Sequence, residues 1–115
     1  MRRDDEIRIR HMLDSAHEAT SFVQGHTRQS LDVNRQLALA LVIEIEIIGE
    51  ATNQDLSLET RQAFPEIPWS NIIAMRNRLI HAYFEIDLDR VWDTVIEDLP
   101  PLVTALEKIL PSRTS

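Results

Sequence analysis

Apolar residues Ile9, Met12, Leu13, Ala16 and Val23, with Thr20 on the same stripe, recur at steps of three and four. That period predicts an amphipathic helix from about Asp4 to Gln24, and Gly25 is well placed as its C′ stop. After a short polar loop, a second helix is predicted from Leu31 or Asp32 to Thr52. Between Leu37 and Ile48 it is apolar on nearly every side, so it should be surrounded. Two neighbours within one chain rarely cover a whole circumference. The helix is therefore expected at the centre of a bundle or shared with a second subunit. Ile43-Glu44-Ile45-Glu46-Ile47 alternates like a strand, but no turn signal flanks it and the run is too long. Gly49 inside this helix costs about 1 kcal/mol relative to alanine, which implies close approach of another backbone.

Asp55-Leu56-Ser57 opens a short helix that ends before Pro65, and Pro65 and Pro68 bracket a tight corner. A further helix is predicted from Trp69 or Ser70 to about Tyr83. Asp87 suits the N-cap of the next, which carries Val91, Trp92, Val95, Ile96 and Leu99. Pro100-Pro101 must kink or restart it, with Asp98 available as a new cap, and the last helix ends near Leu110. The pattern predicts an all-α fold: an antiparallel helical bundle of about four to five helices, one domain over residues 1–115, with 111–115 a disordered tail.

Composition narrows what such a bundle does. At 115 residues with 43% hydrophobic positions, the chain is one domain of ordinary size with a packed core. Without cysteine it forms no disulfide or thiolate metal site. The start, Met1-Arg2-Arg3-Asp4-Asp5-Glu6, lacks the apolar run of a secretory signal. The apolar segment Leu37 to Ile48 is too short and too charged to cross a bilayer, so a cytoplasmic protein without a membrane partner is expected. A formal net charge of −7 argues against a general polyanion-binding surface. RNA, if bound, needs a local basic groove: Arg76 and Arg78, or the cluster Arg2, Arg3, Arg8, Arg10 and His11, whose simpler reading is a solvated surface.

One stretch looks built for chemistry. Arg76-Asn77-Arg78-Leu79-Ile80-His81-Ala82-Tyr83 places a permanent cation, an amide, an imidazole and a phenol within about two helical turns. The guanidinium fork suits phosphate oxygens, and histidine titrates near neutrality. The set suggests phosphodiester chemistry with no metal and no cofactor. On an ideal helix Arg76 and His81 diverge by about 140°, Asn77 and His81 share a face, and Arg76 and Tyr83 nearly do. Convergence of arginine and histidine then requires the helix to end near His81, or a second subunit to face the first. With the over-apolar second helix, this favours a homodimer with a composite site in the interface cleft.

The motif, together with Glu46-Ile47-Ile48-Gly49-Glu50-Ala51, Pro65-Glu66-Ile67-Pro68-Trp69, and the closing Asp87-Leu88, Val91-Trp92 and Glu97-Asp98-Leu99-Pro100, resembles the HepT-like branch of the HEPN superfamily. The resemblance runs from about residue 31 to 110, and its signature is Arg-x4-His-x-Tyr with a polar residue after the arginine. It implies a helical homodimer that cleaves RNA without metal at an interface cleft. It also implies a toxin neutralised by a minimal nucleotidyltransferase (MntA-like) antitoxin that attaches AMP to the motif tyrosine. By position, Arg76 and His81 would be catalytic, Asn77 supporting and Tyr83 the AMPylation site, with Arg76 and Arg78 the RNA-binding pair that the charge pattern already suggests. The chemistry agrees: RNA carries its own 2′-hydroxyl nucleophile, His81 would move protons and Arg76 would brace the phosphoryl oxygens. The predicted products are a 2′,3′-cyclic phosphate and a 5′-hydroxyl.

The competing reading is a non-catalytic helical module that binds and regulates a nucleotidyltransferase, which the acidic charge favours. Glu44, Glu46 and Glu50 suggest a bundle-type metal site only weakly. That chemistry wants paired Glu-x-x-His motifs, and only Asp14-Ser15-Ala16-His17 comes close. Glu46 and Glu50 form an i, i+4 pair, which leaves a structural or partner-contact role, including a hydrogen bond to a motif side chain across the cleft. Trp69 and Trp92 read as core or interface anchors.

Overall fold

The computed structural model describes residues 1–82 and 85–111, and gives the backbone alone for Ile80, His81 and Ala82. Four longer helices form the bundle: α1 (Arg3–Phe22), α3 (Arg35–Glu50), α5 (Trp69–Asn77) and α7 (Leu99–Ile109). Shorter α2 (Ser30–Val33), α4 (Leu58–Ala63) and α6 (Leu88–Asp93) connect them. The strands β1 (Ile80–Ala82) and β2 (Glu85–Ile86) pair antiparallel between α5 and α6, and this small hairpin leaves the fold all-α.

Helix α1 packs against α3 and α7, and α3 also packs against α5. The core between them is aliphatic. Ile9, Met12 and Ala16 of α1 meet Leu41, Ile45 and Ile48 of α3, with Val91, Val95, Leu99 and Leu106 closing the far side. Trp69 anchors the corner after α4: its ring is buried, and its indole N–H donates to the carbonyls of Arg61 and Phe64, both at 3.0 Å. Trp92 packs half-buried against the same core.

The first helix, the Asp87 cap and the corner at Pro65 to Pro68 lie where the pattern put them. Gly25 has φ 77, the left-handed conformation that stops the chain beyond α1. Asp87 accepts the backbone N–H of Arg90 at 3.0 Å and so starts α6. Ser57 caps α4 through the N–H of Thr60, and Asp5 of α1 reinforces that cap from outside. The buried Asp5 carboxylate accepts from Ser57 N, Ser57 Oγ and Thr60 Oγ1 at 3.0, 2.6 and 2.6 Å. Burial would raise its pKa, but these hydrogen bonds outweigh burial and hold it below the ordinary value.

Three boundaries differ from the pattern. The long second helix is broken at Asn34, whose backbone leaves helical geometry (φ −120, ψ 87) while its side chain accepts from Leu37 N at 3.0 Å. An N-cap at that position starts α3 afresh and leaves α2 as one turn. The restart before α7 is not an Asp98 cap: residues Thr94–Asp98 form a π turn, and Asp98 makes no side-chain capping bond. Pro100 and Pro101 lack N–H donors, so the helical ladder loses two bonds there, and the wider turn just before them absorbs the loss without a break. A second π turn, Ala51–Asp55, ends α3, with Leu56 N donating to Ala51 O at 2.9 Å. The third difference is the motif helix, which stops at Asn77 rather than running to Tyr83. The chain must reverse between α5 and α6, and a hairpin satisfies the backbone groups that a continued helix would carry away from the bundle. Of the expected tail, Pro111 is held by Arg10, whose Nη2 donates to its carbonyl at 3.0 Å, and residues 112–115 lie outside the described ones.

Glu44 is the unexpected charge in this core. It is buried on α3 against Ser15 and Glu18 of α1. Burial, followed by its hydrogen bond and repulsion with Glu18, pushes its pKa up from 4.5 to about 7. Below 4.5 Glu44 is neutral whether the chain is folded or not. Between there and about 7 only the folded form keeps the proton, so stability falls as pH rises through that window. Glu44→Gln should therefore flatten the melting temperature between pH 5 and 8 and raise it at pH 8, read by thermal denaturation across pH.

Candidate active site on α3 and α5

Arg76 stands in the last turn of α5 and turns its side chain onto α3. The two helices approach because residue 49 has no side chain. A Cβ there would lie 2.8 Å from both Cβ and Cδ of Arg76 and 3.2 Å from its Cγ. The close approach expected at Gly49 is thus real, but the stem of a motif side chain fills the space. Beyond Gly49, the Arg76 guanidinium meets two carboxylates of α3. Its Nε lies 3.3 Å from Glu46 Oε2, and its Nη1 donates to Glu50 Oε2 at 3.3 Å. Nη2 has no partner among the described residues.

Glu46 and Glu50 were legible as an i, i+4 pair, and the structure identifies their partner as Arg76 of the same chain. What the sequence did carry was their position three residues before and one residue after the helical glycine. Both contacts are longer than the 2.7–2.9 Å of a tight charge-assisted bond. The guanidinium side chain is 26% exposed. Such a cluster contributes on the order of 1 kcal/mol or less to stability, so its effect is on orientation. Two carboxylates against one guanidinium give the cluster a formal charge of −1.

The remaining motif residues spread away from this point. Asn77 is the exposed last residue of α5. Arg78 caps the helix, its N–H reaching Ala74 O and Met75 O, and its side chain lines a groove between α5 and α7. That groove, about 630 Å³, also holds Glu66, Glu97 and Asp98, so Arg78 faces acidic company and not Arg76. Leu79 is fully buried. The backbone of His81 runs in β1, with Asp87 N closing the hairpin onto Leu79 O at 2.8 Å. The side chain of His81 and the whole of Tyr83 lie outside the described residues, so the α-helical spacings that linked Asn77 to His81 and Arg76 to Tyr83 do not apply.

Three of the amino-terminal arginines are paired with carboxylates. Arg2 pairs with Glu59, Arg8 with Asp55, and Arg10 with Glu6 at 3.7, 3.8 and 2.9 Å. Among the described residues no cluster of three or more histidines and carboxylates is arranged to hold a metal ion. Nor is any helix long and apolar enough to cross a membrane.

On α3 the solvent side matters as much as the core side. Leu37, Leu41, Val42, Ile45 and Ile48 are buried, but Leu39, Ile43 and Ile47 are exposed, Ile43 to 58%. At about 100° per residue, these three together with Glu46 and Glu50 fall within roughly 100° of arc. One face of α3 therefore presents an apolar stripe and the Arg76 cluster side by side.

Fold and site together define an all-α bundle whose surface carries a fixed arginine beside an apolar helix face. The family described as "Ribonuclease HepT-like" matches residues 12–109, and the chain belongs to that family. Among its relatives, a protein of Thermococcus cleftensis named "Probable ribonuclease HepT" is 35% identical over 101 residues, covering 84% of this chain and 91% of that one. A Methanocaldococcus jannaschii protein named "Putative RNase MJ1380" is 32% identical over 106 residues, 92% of this chain and 96% of its own. A longer protein of the same organism, named "Gamma-glutamylcyclotransferase and putative RNase MJ0434", is 34% identical over 110 residues. The match takes 96% of this chain but spans only 49% of that protein. No solved structure matches.

Proposed function

We propose that this chain is a metal-independent endoribonuclease that acts as a homodimer, with Arg76 and His81 meeting one scissile phosphate in the cleft between protomers. The observation that carries the reading is membership of the HepT-like ribonuclease family in a chain that keeps Arg76, Asn77, His81 and Tyr83, with the guanidinium held at the surface. His81 takes the proton of the ribose 2′-hydroxyl, and the 2′-oxygen attacks phosphorus. The bond to the 5′-oxygen then breaks, and that oxygen leaves with a proton returned by an imidazole. A dimer supplies two such imidazoles. Arg76 stabilises the charge that builds on the phosphoryl oxygens, Asn77 orients phosphate or imidazole, and Arg78 contributes a further contact to RNA. The products are a 2′,3′-cyclic phosphate and a 5′-hydroxyl.

Support for the dimer comes from α3. Covering Leu39, Ile43 and Ile47 with a second copy about a two-fold axis brings the Arg76 cluster of each protomer toward the other. We extend the reading to a toxin whose antitoxin, a small nucleotidyltransferase, silences it by attaching AMP to Tyr83, which adds bulk and negative charge near the catalytic cation. The second reading, a non-catalytic module that partners a nucleotidyltransferase, is favoured by the −7 net charge and by the two carboxylates on Arg76.

Incubation of the purified protein with total RNA in EDTA separates the two. Cleavage that falls at least about 100-fold in His81→Ala and Arg76→Ala is expected for the enzyme; undiminished cleavage by His81→Ala would overturn the assignment. Ile43→Asp should convert a dimer to a monomer in sedimentation while leaving helical content intact, and cleavage should be lost with it. Co-expression with the nucleotidyltransferase should add the mass of AMP to the peptide containing Tyr83, and Tyr83→Phe should abolish that addition.

A further inference from the structure

We infer that Glu46 and Glu50 are positioning residues for Arg76. They hold the guanidinium by Nε and Nη1 so that Nη2 is the nitrogen presented to a phosphoryl oxygen, and Gly49 lets the side chain reach them. The ribonuclease reading is needed here only for what Arg76 meets; the positioning itself is a property of the α3–α5 contact.

An arginine at the end of a helix has four rotatable bonds and would sample many directions. Arg76 is fixed at three points instead. Its stem lies against the bare backbone of Gly49, its Nε faces Glu46 and its Nη1 faces Glu50. The carboxylates sit three residues before and one residue after the glycine, on the same face of α3, so the side chain passes between them. Each uses a single oxygen, Oε2, on a single nitrogen at 3.3 Å. A carboxylate acting as a stand-in for phosphate would cap the fork with both its oxygens at shorter range. Here the fork is steadied from two nitrogens, and Nη2 is without a partner among the described residues. The carboxylates also weaken general attraction for RNA, because they leave the cluster at −1. Positioning therefore predicts an effect on turnover, with binding unchanged or tighter when they are removed.

The test uses the full chain and two readouts. In the first, the Nε–H signal of Arg76 is followed by nitrogen NMR and assigned by its loss in Arg76→Lys. It should be ordered and slow to exchange in the unsubstituted protein and averaged in Glu46→Ala/Glu50→Ala. In the second, RNA cleavage is resolved into kcat and KM. The double alanine variant should lose about 10- to 100-fold in kcat with KM equal or lower. Glu50→Gln, which still accepts the hydrogen bond from Nη1, should keep most of it, and in an Arg76→Ala background the double alanine change should add nothing. Gly49→Ala is the independent variant: it improves helix propensity yet displaces the Arg76 stem, so kcat and the ordered signal should both fall. An ordered Nε–H in the double alanine variant, a kcat that is unchanged or raised, or a wild-type Gly49→Ala would each overturn the inference. If the unsubstituted protein cleaves no RNA, the ribonuclease reading fails by itself, and the NMR arm alone decides whether the carboxylates position Arg76.

Discussion

The contact between the bare backbone at Gly49 and the stem of Arg76 sets the distance between α3 and α5. A glycine within a helix costs about 1 kcal/mol relative to alanine. The approach it permits is part of the α3–α5 packing, in which both helices bury side chains in the common core, and a buried aliphatic side chain contributes roughly 1.5–3 kcal/mol when removed from water. Burial wins by a clear margin. A larger residue at 49 would move α5 outward, and with it the arginine, the Leu79 anchor and the start of the hairpin. The site geometry is therefore a consequence of helix packing, one step removed from the chemistry.

Helix α3 does two opposite things around its circumference. Toward α1 and α5 it is ordinary core, apart from Glu44, which stays buried by remaining protonated toward neutral pH. Toward solvent it mixes exposed Leu39, Ile43 and Ile47 with the carboxylates that hold Arg76. An isolated exposed leucine means little, but a row at i, i+4 and i+8 is an apolar surface of the kind that suits a protein contact. The chain's −7 charge does not prevent local recognition of a phosphate. At about 0.1 M salt, charges more than roughly 10 Å away are largely screened, so what a phosphate feels is the guanidinium and its two carboxylates. Orientation of that guanidinium matters more than the total.

Much of this was legible because apolar periodicity and capping residues are local signals. The stripe from Ile9 to Val23 located α1 to within two residues at either end, and Asp87 and Ser57 started the helices they were suited to cap. Asn34 was equally a cap, but it lay inside a strong helical pattern and its signal was overridden by the neighbours. The π turns were invisible because they depend on how the backbone ladder redistributes where a helix ends or meets its successor, not on any residue's preference. Arg76 and the carboxylates of α3 were each visible as residues worth attention. Their pairing was not, because it joins positions 26 to 30 residues apart through a contact that only packing reveals.

The end of α5 changes the logic of the site. On an unbroken helix Arg76 and His81 would point about 140° apart, and that divergence was one reason to invoke a second subunit. With α5 ended at Asn77, Leu79 buried and the chain carried into β1, no helical angle relates the two residues. Geometry along the chain therefore neither demands nor forbids convergence within one protomer. What points to a partner copy is α3, where apolar residues face water beside Arg76. That is the firmer ground, since an exposed row of large aliphatic side chains carries a free-energy cost in the isolated protomer whatever the reaction turns out to be.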